Sequence, residues 1–460
     1  MPSPAFHAER RQRLADAVQR PILLVGNGRQ ARNFPANTLP FRQDSTFLYF
    51  TGCAAPGAAL LIDGEDHTLF LPDAGPGDAL WHGPTPSLRE QGAALGVAVK
   101  DARELDTRVA QLDARPWALS VSDPRRTALA RRLSGLALEY GPLNGPDALI
   151  AAVIDLRLAL HPEEIEAMRA AAAVTTAAHR AAMAATRPGR TEAQIAALFD
   201  GVCASHGMAT AYHSIVTVRG EVLHNESYGN TLEDGQLLLL DGGAEHASGY
   251  ATDVTRTWPV SGRFSGQQRA AYDAVLAAQE ASIALCRAGT RYRDVHLASC
   301  RVLTRFLVDE GILDGAVDGL VERGAHALFF PHGVGHLIGL DVHDMEIFGD
   351  RAGYAPGRAR SDQFGLSYLR LDRDLAPGMV VTIEPGFYVV PAILDDAALG
   401  ARFADVLRRD RLEAWRGFGG IRIEDDVRIT DGAPEVLTEG IPKAPEDLEA
   451  LVGSAELVLG

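Results

Sequence analysis

The sequence predicts a mixed α/β protein with two domains, and three observations lead to that prediction. The chain has 460 residues, more than one hydrophobic core usually supports. Its composition, with 47% hydrophobic and 23% charged residues, is that of a globular protein. Helix-like and strand-like segments alternate along it, and one long helical segment at residues 161–186 follows a mixed first third. We therefore predict a small α/β domain over residues 1–158 and a larger domain, α/β or α+β, over residues 159–460.

Short apolar runs predict the strands of the N-terminal domain. PILLVGNG at residues 21–28 and TFLYFTGC at residues 46–53 have the residue types of buried strands. AALLIDGEDHTLFLPD at residues 58–73 contains two apolar runs around Gly64, Glu65 and Asp66, which predicts a hairpin. The segment PSLREQGAALG predicts a helix between strands.

Capping residues mark the predicted helices of the second domain. Pro162 suits the first position of the long helix over residues 161–186. Thr191 with Gln194, and Ser265 with Gln268, have the spacing of capping boxes, in which each side chain bonds the other residue's backbone N–H. Two further helices are therefore predicted to begin at these positions.

Four apolar segments of the second domain predict buried strands, and each contains an acidic residue. The segments are QLLLLDGG, YATDVTRTWPV, MVVTIEPGFYVV and GIRIEDDVRI. A buried carboxylate is costly unless it is paired with a cation or binds a metal. One such residue is best explained as a strand-end acid with an arginine partner, but four indicate a shared site. The four residues are Asp241, Asp253, Glu384 and Glu424.

A glycine-rich segment, FPHGVGHLIGLDVHD, adds His332, His336 and His343. Imidazole binds metals and transfers protons near neutral pH, and glycine lets the backbone approach a ligand closely. Carboxylates with one imidazole suit two adjacent divalent ions such as Mn²⁺, Co²⁺ or Zn²⁺. Two such ions, about 3.5–4 Å apart, share bridging carboxylates and acidify a bound water.

Asp241, Asp253, His336, Glu384 and Glu424, in this order and these contexts, resemble the five metal ligands of the pita-bread metallopeptidases. That family includes methionine aminopeptidase, aminopeptidase P and prolidase. FRQDSTFLYFTGC, at residues 41–53, resembles the creatinase-like N-terminal domain of aminopeptidase P and prolidase, which methionine aminopeptidases lack. The resemblance implies a pita-bread catalytic domain with two divalent metal ions, Mn²⁺ before Co²⁺ or Zn²⁺.

The resemblance also implies a role for each ligand. Asp241 and Glu424 would each touch the metals, with Asp253 and Glu424 bridging them. His336 and Glu384 would complete one site, and Glu384 would act as the general base for the attacking water.

Three histidines are left for the substrate by the same resemblance. His332 would lie near the substrate, His343 would bind the scissile carbonyl or the tetrahedral intermediate, and His224 would match a loop histidine that shuttles protons. From the residues alone, each also fits a histidine with a purely structural role.

Two residues are predicted to support the ligands. Thr255 shares a strand face with Asp253, and Arg422 shares one with Glu424, because side chains two apart point the same way. Both would hold the ligands in place, or they are ordinary strand residues. The interval 253 − 241 = 12 is one longer than the family's usual spacing, and the extra residue lies either in the turn AEHASGY or in a strand bulge that re-aims Asp253.

The family resemblance implies cleavage of the peptide bond before proline. Aminopeptidase P removes the first residue of longer peptides, whereas prolidase hydrolyses Xaa-Pro dipeptides and must recognise a free carboxylate. FGLSYLRLDRDLAPGMVV resembles prolidase, in which an arginine at the position of Arg370 holds that carboxylate. We expect a dipeptidase, with aminopeptidase P as the alternative; Arg370 also fits a solvated arginine beside Asp372 and Asp374.

Composition limits the partners. The net charge of −16 argues against nucleic acid, whose phosphates the chain would repel. The sequence shows no membrane-length apolar run, and the four cysteines have no pairing pattern, so we expect a reduced, cytoplasmic protein.

The resemblance implies a homo-oligomer, dimer or tetramer. A ligand-depleted, non-catalytic peptide-binding module and a metal-free creatinase-like hydrolase are the competing classes, and neither fits five ligands.

Overall fold

A computed structural model describes residues 2–75, 77–141 and 144–455, which fall into two compact units. The N-terminal unit is Met1–Leu158 with Met345–Ala352, and the C-terminal unit is Ala159–Asp344 with Gly353–Gly460. Both combine helices with strands, as the sequence predicts. No helix in the described ranges is both long and apolar enough to cross a bilayer.

The N-terminal unit is built around one five-stranded sheet with the order β6-β5-β4-β1-β7. β4 pairs antiparallel with both β1 and β5, whereas β7 and β6 add in parallel at the two edges. The predicted hairpin is confirmed as β4 and β5. The elements are α1 (Pro4–Val18), β1 (Ile22–Val25), β2 (Ala31–Phe34), β3 (Asn37–Thr38), α2 (Ser45–Thr51), β4 (Ala59–Asp63), β5 (Asp66–Leu71), α3 (Asp78–His82), α4 (Leu88–Leu95), β6 (Ala98–Asp101), α5 (Leu105–Ala110), β7 (Trp117–Ala118), α6 (Pro124–Ser134) and α7 (Asp147–Arg157).

The predicted strand at TFLYFTGC is wrong, because this segment forms α2. Asp44 caps the helix by accepting a hydrogen bond from the Phe47 N–H at 2.8 Å. Gly52 ends it in the left-handed conformation, with φ of 62°, and donates its N–H to Leu48. The aromatic residues favour a strand by propensity, but caps at both ends and burial around the helix outweigh that preference.

The C-terminal unit places helices around several short sheets. Its sheet orders are β12-β10-β9, β11-β8, β13-β16-β17 and β14-β15. The elements are α8 (Pro162–Ala185), α9 (Glu192–Ser205), β8 (Ala209–Thr210), β9 (Ile215–Thr217), β10 (Leu237–Asp241), β11 (Ala244–Glu245), β12 (Thr255–Pro259), α10 (Gly266–Ala284), α11 (Tyr292–Asp309), α12 (Val317–Arg323), α13 (Asp350–Gly353, partly in the N-terminal unit), β13 (Val380–Ile383), β14 (Gly386–Tyr388), α14 (Pro391–Leu394), α15 (Ala397–Arg402), α16 (Arg409–Leu412), β15 (Gly420–Arg422), β16 (Asp425–Arg428), β17 (Glu435–Val436) and α17 (Pro445–Leu451).

The predicted helix starts are confirmed. Pro162 is at the beginning of α8, and both predicted capping boxes form, Thr191 with Gln194 at α9 and Ser265 with Gln268 at α10. These are local signals, in which the cap side chain satisfies backbone N–H groups that the first helical turn leaves open.

A buried ion pair lies in the C-terminal unit. The Arg256 Nη2 donates to Asp425 Oδ1 at 2.7 Å, and both side chains are fully buried. Lys443 and Gln279 also donate to Asp425, at 2.8 and 2.7 Å. Burial alone would raise the pKa of Asp425, but the charges of Arg256 and Lys443 outweigh it and lower the pKa to about 2. The carboxylate is therefore ionised and fully bonded.

We predict that Asp425→Asn lowers the free energy of unfolding by about 3–5 kcal/mol, because it leaves the Arg256 charge buried without its partner. The matched control is Asp273→Asn, which breaks an exposed pair with Arg269 and should cost about 0–1 kcal/mol. Urea unfolding measures both. Equal small losses would show that the buried pair does not stabilise this unit.

Candidate metal centre

Asp241 lies in a strand as predicted, whereas the predicted position of the other three carboxylates inside continuous strands is wrong. Asp241 is the last residue of β10, and Asp253 precedes β12 by two residues. Glu384 separates β13 from β14, and Glu424 separates β15 from β16. Asp241 is thus paired within a ladder, whereas Asp253, Glu384 and Glu424 lie beside or between strands.

Asp241 and Asp253 belong to one antiparallel hairpin. Asp241 pairs with Thr255, and the same register reaches the Glu245–Ala251 bridge near the turn. Gly242 N–H also donates to Val254 in that register, at 3.0 Å. The alternative of a strand bulge is therefore wrong, the one of an extra residue in the turn fits, and Asp253 is not re-aimed.

Glu384 and Glu424 face each other across a second antiparallel ladder. Ile383 pairs with Asp425 and Gly386 pairs with Arg422, so the register continues across the break and sets Glu384 opposite Glu424. Pro385 has no N–H to donate, which explains why the ladder is interrupted there. Two carboxylates directly opposite each other repel unless a cation lies between them.

The two ladders and the histidine segment converge. Ligand atoms lie within 4.8 Å of one another in each of three overlapping groups. The first two are Asp241 with Asp253 and Glu424, and His336 with Glu384 and Glu424; the third joins Asp253, His336 and His343. All five predicted ligands are thus brought together, and His343 lies beside them.

His336 is oriented with one nitrogen towards the carboxylates. Its Nδ1 donates to the Leu337 carbonyl at 2.9 Å, which leaves Nε2 at 3.4 Å from Asp253 Oδ2 and 3.8 Å from Glu384 Oε1. A backbone bond on one nitrogen fixes the tautomer of a metal-binding histidine. The Thr382 hydroxyl also accepts the His336 N–H at 3.1 Å.

Thr255 and Arg422 contact the predicted ligands directly. The Thr255 hydroxyl donates to Glu424 Oε2 at 2.6 Å. Arg422 donates to Asp241 Oδ2 at 2.5 Å and to the Thr255 hydroxyl at 2.9 Å. These bonds tie the two ladders together and fix which carboxylate oxygens remain for other partners.

Two tyrosines of the site are absent from the sequence predictions. The Tyr212 hydroxyl contacts both Asp241 and Asp253. Tyr388 accepts a bond from Arg422 at 3.2 Å and lies 2.9 Å from His332 Nε2. No sequence motif marks Tyr212. Tyr388 lies four residues after Glu384, in β14, and this closeness to a predicted ligand is the one signal in the sequence that could have indicated it.

The carboxylates crowd each other electrostatically. Burial, together with the neighbouring acids, raises the pKa of Glu384 to about 7 and that of Asp241 to about 6. The pKa of Glu424 is raised well above its usual range by burial and by three neighbouring carboxylates. Arg422 provides one fixed positive charge, which does not balance the negative charge of the clustered carboxylates. Bound cations would balance the rest.

Asp253 and His336 behave as an ion pair within the cluster. Burial disfavours both charged forms, but their mutual attraction outweighs it, so the pKa of Asp253 is lowered and that of His336 is raised. A divalent ion would take the place of the imidazolium proton in this arrangement.

His332 is bonded through both ring nitrogens. Nδ1 lies 2.8 Å from the Gly333 carbonyl, and Nε2 lies 2.9 Å from the Tyr388 hydroxyl. Nδ1 is also 3.8 Å from Glu384 Oε2. Burial and the charge of Arg422 lower the pKa of His332 to about 3, so the ring is neutral. The structure thus places it beside Glu384.

His343 and Arg370 are half-buried, and His224 is exposed. The His343 ring is 4.3 Å from that of His336, and Arg370 Nη1 is 3.2 Å from His343 Nδ1. His224 is exposed in a turn after β9, and burial together with the charges of Arg422 and Arg370 lowers its pKa. Within the described ranges, His224 makes no hydrogen bond or ion pair with the predicted ligands.

Comparisons with known proteins identify the family. A model of metallopeptidase family M24 matches residues 166–431, and a model of the aminopeptidase P N-terminal domain matches residues 7–116. The chain belongs to metallopeptidase family M24. The predicted family and fold class are therefore confirmed.

Relatives of this M24 chain extend over nearly its whole length. Human Xaa-Pro dipeptidase is 32% identical, covering 98% of this chain and 94% of the relative. A probable Xaa-Pro aminopeptidase of Paracoccidioides brasiliensis is 35% identical, covering 90% and 88%. The solved structure of Escherichia coli aminopeptidase P with the inhibitor Pro-Leu has a TM-score of 0.81 and 33% identity, covering 98% of each chain.

The metal-free M24 chain should lose stability as the pH rises from about 4.5 to 7. The pKa of Glu384 is higher in the folded chain than its ordinary value of 4.5, so folding favours its protonated form and this stabilisation disappears on ionisation. The expected loss at Glu384 is roughly 2 kcal/mol. Urea unfolding of the metal-free protein at pH 5 and pH 8 measures it.

Glu384→Gln is the control for that experiment, because an amide does not titrate. Its stability should change less between the two pH values than that of the unsubstituted chain. An identical pH dependence in both proteins would contradict the raised pKa of Glu384.

Proposed function

We propose that this metallopeptidase hydrolyses the peptide bond before proline in Xaa-Pro dipeptides with the help of two divalent metal ions. The observation that carries the dipeptide assignment is the position of half-buried Arg370 beside His343, which borders the carboxylate cluster. The full-length similarity to human Xaa-Pro dipeptidase supports it.

The donor set fits two cations. Asp241, Asp253, His336, Glu384 and Glu424 would hold them, and the crowded carboxylates need that positive charge. Two bound divalent ions would acidify a water and polarise the attacked carbonyl. Mn²⁺ is our first candidate because oxygen ligands dominate, and the similarity to a Zn-substituted Escherichia coli aminopeptidase P keeps Zn²⁺ as an alternative beside Co²⁺.

Glu384 is our candidate general base. Without a cation, burial and the neighbouring acids raise the pKa of Glu384 to about 7. Bound cations would lower that pKa, so the carboxylate would be ionised and able to accept a proton from water. His332, whose Nδ1 lies 3.8 Å from Glu384 Oε2, would border the substrate next to this carboxylate. His343 and His224 would approach the peptide from the solvent side, with His343 nearest the scissile carbonyl.

Arg370 would bind the free carboxylate of the dipeptide. The simpler explanation is a solvated arginine beside Asp372 and Asp374, and each of those acids is bonded by another arginine. Asp372 is bonded by Arg291 at 2.7 Å, and Asp374 by Arg358 at 2.8 Å. Arg370 instead approaches His343, where a short substrate would end. A guanidinium suits a carboxylate through paired N–H donors.

Aminopeptidase P activity on longer peptides is the second candidate. The similarity to the Escherichia coli enzyme covers 98% of both chains, and residues 7–116 match the aminopeptidase P N-terminal domain.

We further propose a homo-oligomeric, cytoplasmic enzyme; the four cysteines are free and buried, as in a reducing compartment.

The deciding experiment compares kcat/KM for Xaa-Pro, Xaa-Pro amide and Xaa-Pro-Yaa with the metal-loaded protein. We expect the dipeptide to be cleaved fastest. Arg370→Ala should lower its kcat/KM by about 10- to 100-fold, as expected for losing a hydrogen bond to a charged group, and should leave the amide nearly unchanged. Arg358→Ala, in the same segment, is the matched control.

Faster cleavage of the tripeptide, with equal effects of Arg370→Ala on dipeptide and amide, would overturn the dipeptidase assignment in favour of aminopeptidase P. No cleavage of any of the three by metal-loaded protein would instead indicate a peptide-binding module.

A further inference from the structure

A second group of metal-binding residue types lies in the C-terminal unit, apart from the carboxylates. His296 and Cys300 are four residues apart on α11, which places them on one helix face. His326 lies in the 3₁₀ turn Ala325–Leu328. Potential ligand atoms of the three residues lie within 4.8 Å of one another, and each residue is at most 1% exposed. The peptidase chemistry uses none of them.

The hydrogen bonds of this group are incomplete. His296 Nε2 lies 3.1 Å from the Gly365 carbonyl and 3.3 Å from Cys300 Sγ. Neither nitrogen of His326 has a partner, nor does His296 Nδ1. Buried imidazole nitrogens are normally bonded, so a fully buried ring with both nitrogens unpartnered indicates a missing ligand.

Protonation does not provide that partner. Burial lowers the pKa of His326 to about 3 and that of His296 to about 4. Both rings are therefore neutral at physiological pH, and each neutral ring has one nitrogen lone pair available. Neutral imidazole is the form that binds metals.

We propose that His296, Cys300 and His326 bind a Zn²⁺ ion that is separate from the carboxylate-bound pair. A thiolate with two imidazoles is a donor set for zinc, unlike the oxygen-rich set of the other cluster. With Zn–S and Zn–N bonds of about 2.3 and 2.0–2.1 Å in a tetrahedral site, S and N lie about 3.6 Å apart. The Cys300 Sγ to His296 Nε2 distance of 3.3 Å is close to this value.

Binding requires a balanced proton transfer. The Cys300 thiol loses its proton to solvent as the Zn–S bond forms, and the His296 proton moves from Nε2 to Nδ1. The thiolate and the divalent ion together have a net charge of +1. The Gly365 carbonyl, 3.1 Å from His296 Nε2, is an oxygen that could face this charge. Because the residues are buried, the ion would be loaded during folding.

Such an ion would stabilise the segment that leads to the metallopeptidase site. It would join α11, the 3₁₀ turn and the backbone at Gly365. The centroid of the Phe330 ring lies 5.5 Å from that of His296 and 4.9 Å from that of His332. By fixing His296, the bound ion would help to hold Phe330 and the start of the histidine segment in place. This is a structural role, independent of whether dipeptides are the substrate.

Cobalt substitution tests the proposal without relying on activity. Protein produced with Co²⁺ should show a near-ultraviolet thiolate-to-cobalt charge-transfer band. The band would report this site, because among the described residues Cys300 is the cysteine that lies in a possible metal-binding group, and the other groups contain only histidines and carboxylates. Cys300→Ser should abolish the band. Cys286→Ser, at an equally buried cysteine that is bonded to Ser282, should keep it.

Elemental analysis of zinc-grown protein gives the second measurement. The unsubstituted chain should hold one more Zn²⁺ than Cys300→Ser and should lose thermal stability when that ion is absent. A cobalt-grown wild-type protein without the charge-transfer band would overturn the proposal, and this result does not depend on the folding of any variant. A band that survives in Cys300→Ser would overturn it equally.

Discussion

The main constraint on the C-terminal unit is the repulsion between four acidic side chains that the backbone holds close together. One antiparallel ladder sets Glu384 opposite Glu424, and another provides Asp241 and Asp253. In a buried site such repulsion favours either protonation or a bound cation. Burial and crowding raise the pKa values of three of the four. The arrangement is therefore poor as a metal-free core and well suited to divalent ions.

The surrounding side chains hold this unfavourable arrangement in place. Arg422 bonds Asp241, Thr255 and Tyr388, which belong to three different strands or their ends. The backbone N–H of Glu424 donates to the Thr255 carbonyl at 3.0 Å, joining the two ladders. Because these contacts are made within the protein, they hold the predicted ligands close together before any ion binds.

Much of this organisation was predictable from the sequence, and the failures have physical causes. Helix starts with capping boxes and the β4–β5 hairpin follow local rules, so they were correct. The aromatic residues of TFLYFTGC predict a strand, whereas its caps and its burial make it a helix. The strand interruption at Glu384 was visible in Pro385, which cannot continue a ladder. Tyr212 has no spacing signal, because its contact with Asp241 and Asp253 arises from tertiary structure.

Calorimetric titration of the metal-free protein with Mn²⁺ near pH 6.5, in two buffers of different ionisation enthalpy, tests the cation-site interpretation most directly. Metal binding must displace protons from carboxyl groups whose pKa values are raised. We expect two bound ions per chain and net proton release, with less release at pH 8, where the carboxyls with pKa values of about 6 and 7 are already ionised. Fewer than two ions, or no proton release at pH 6.5, would contradict the interpretation of this cluster as a two-metal site.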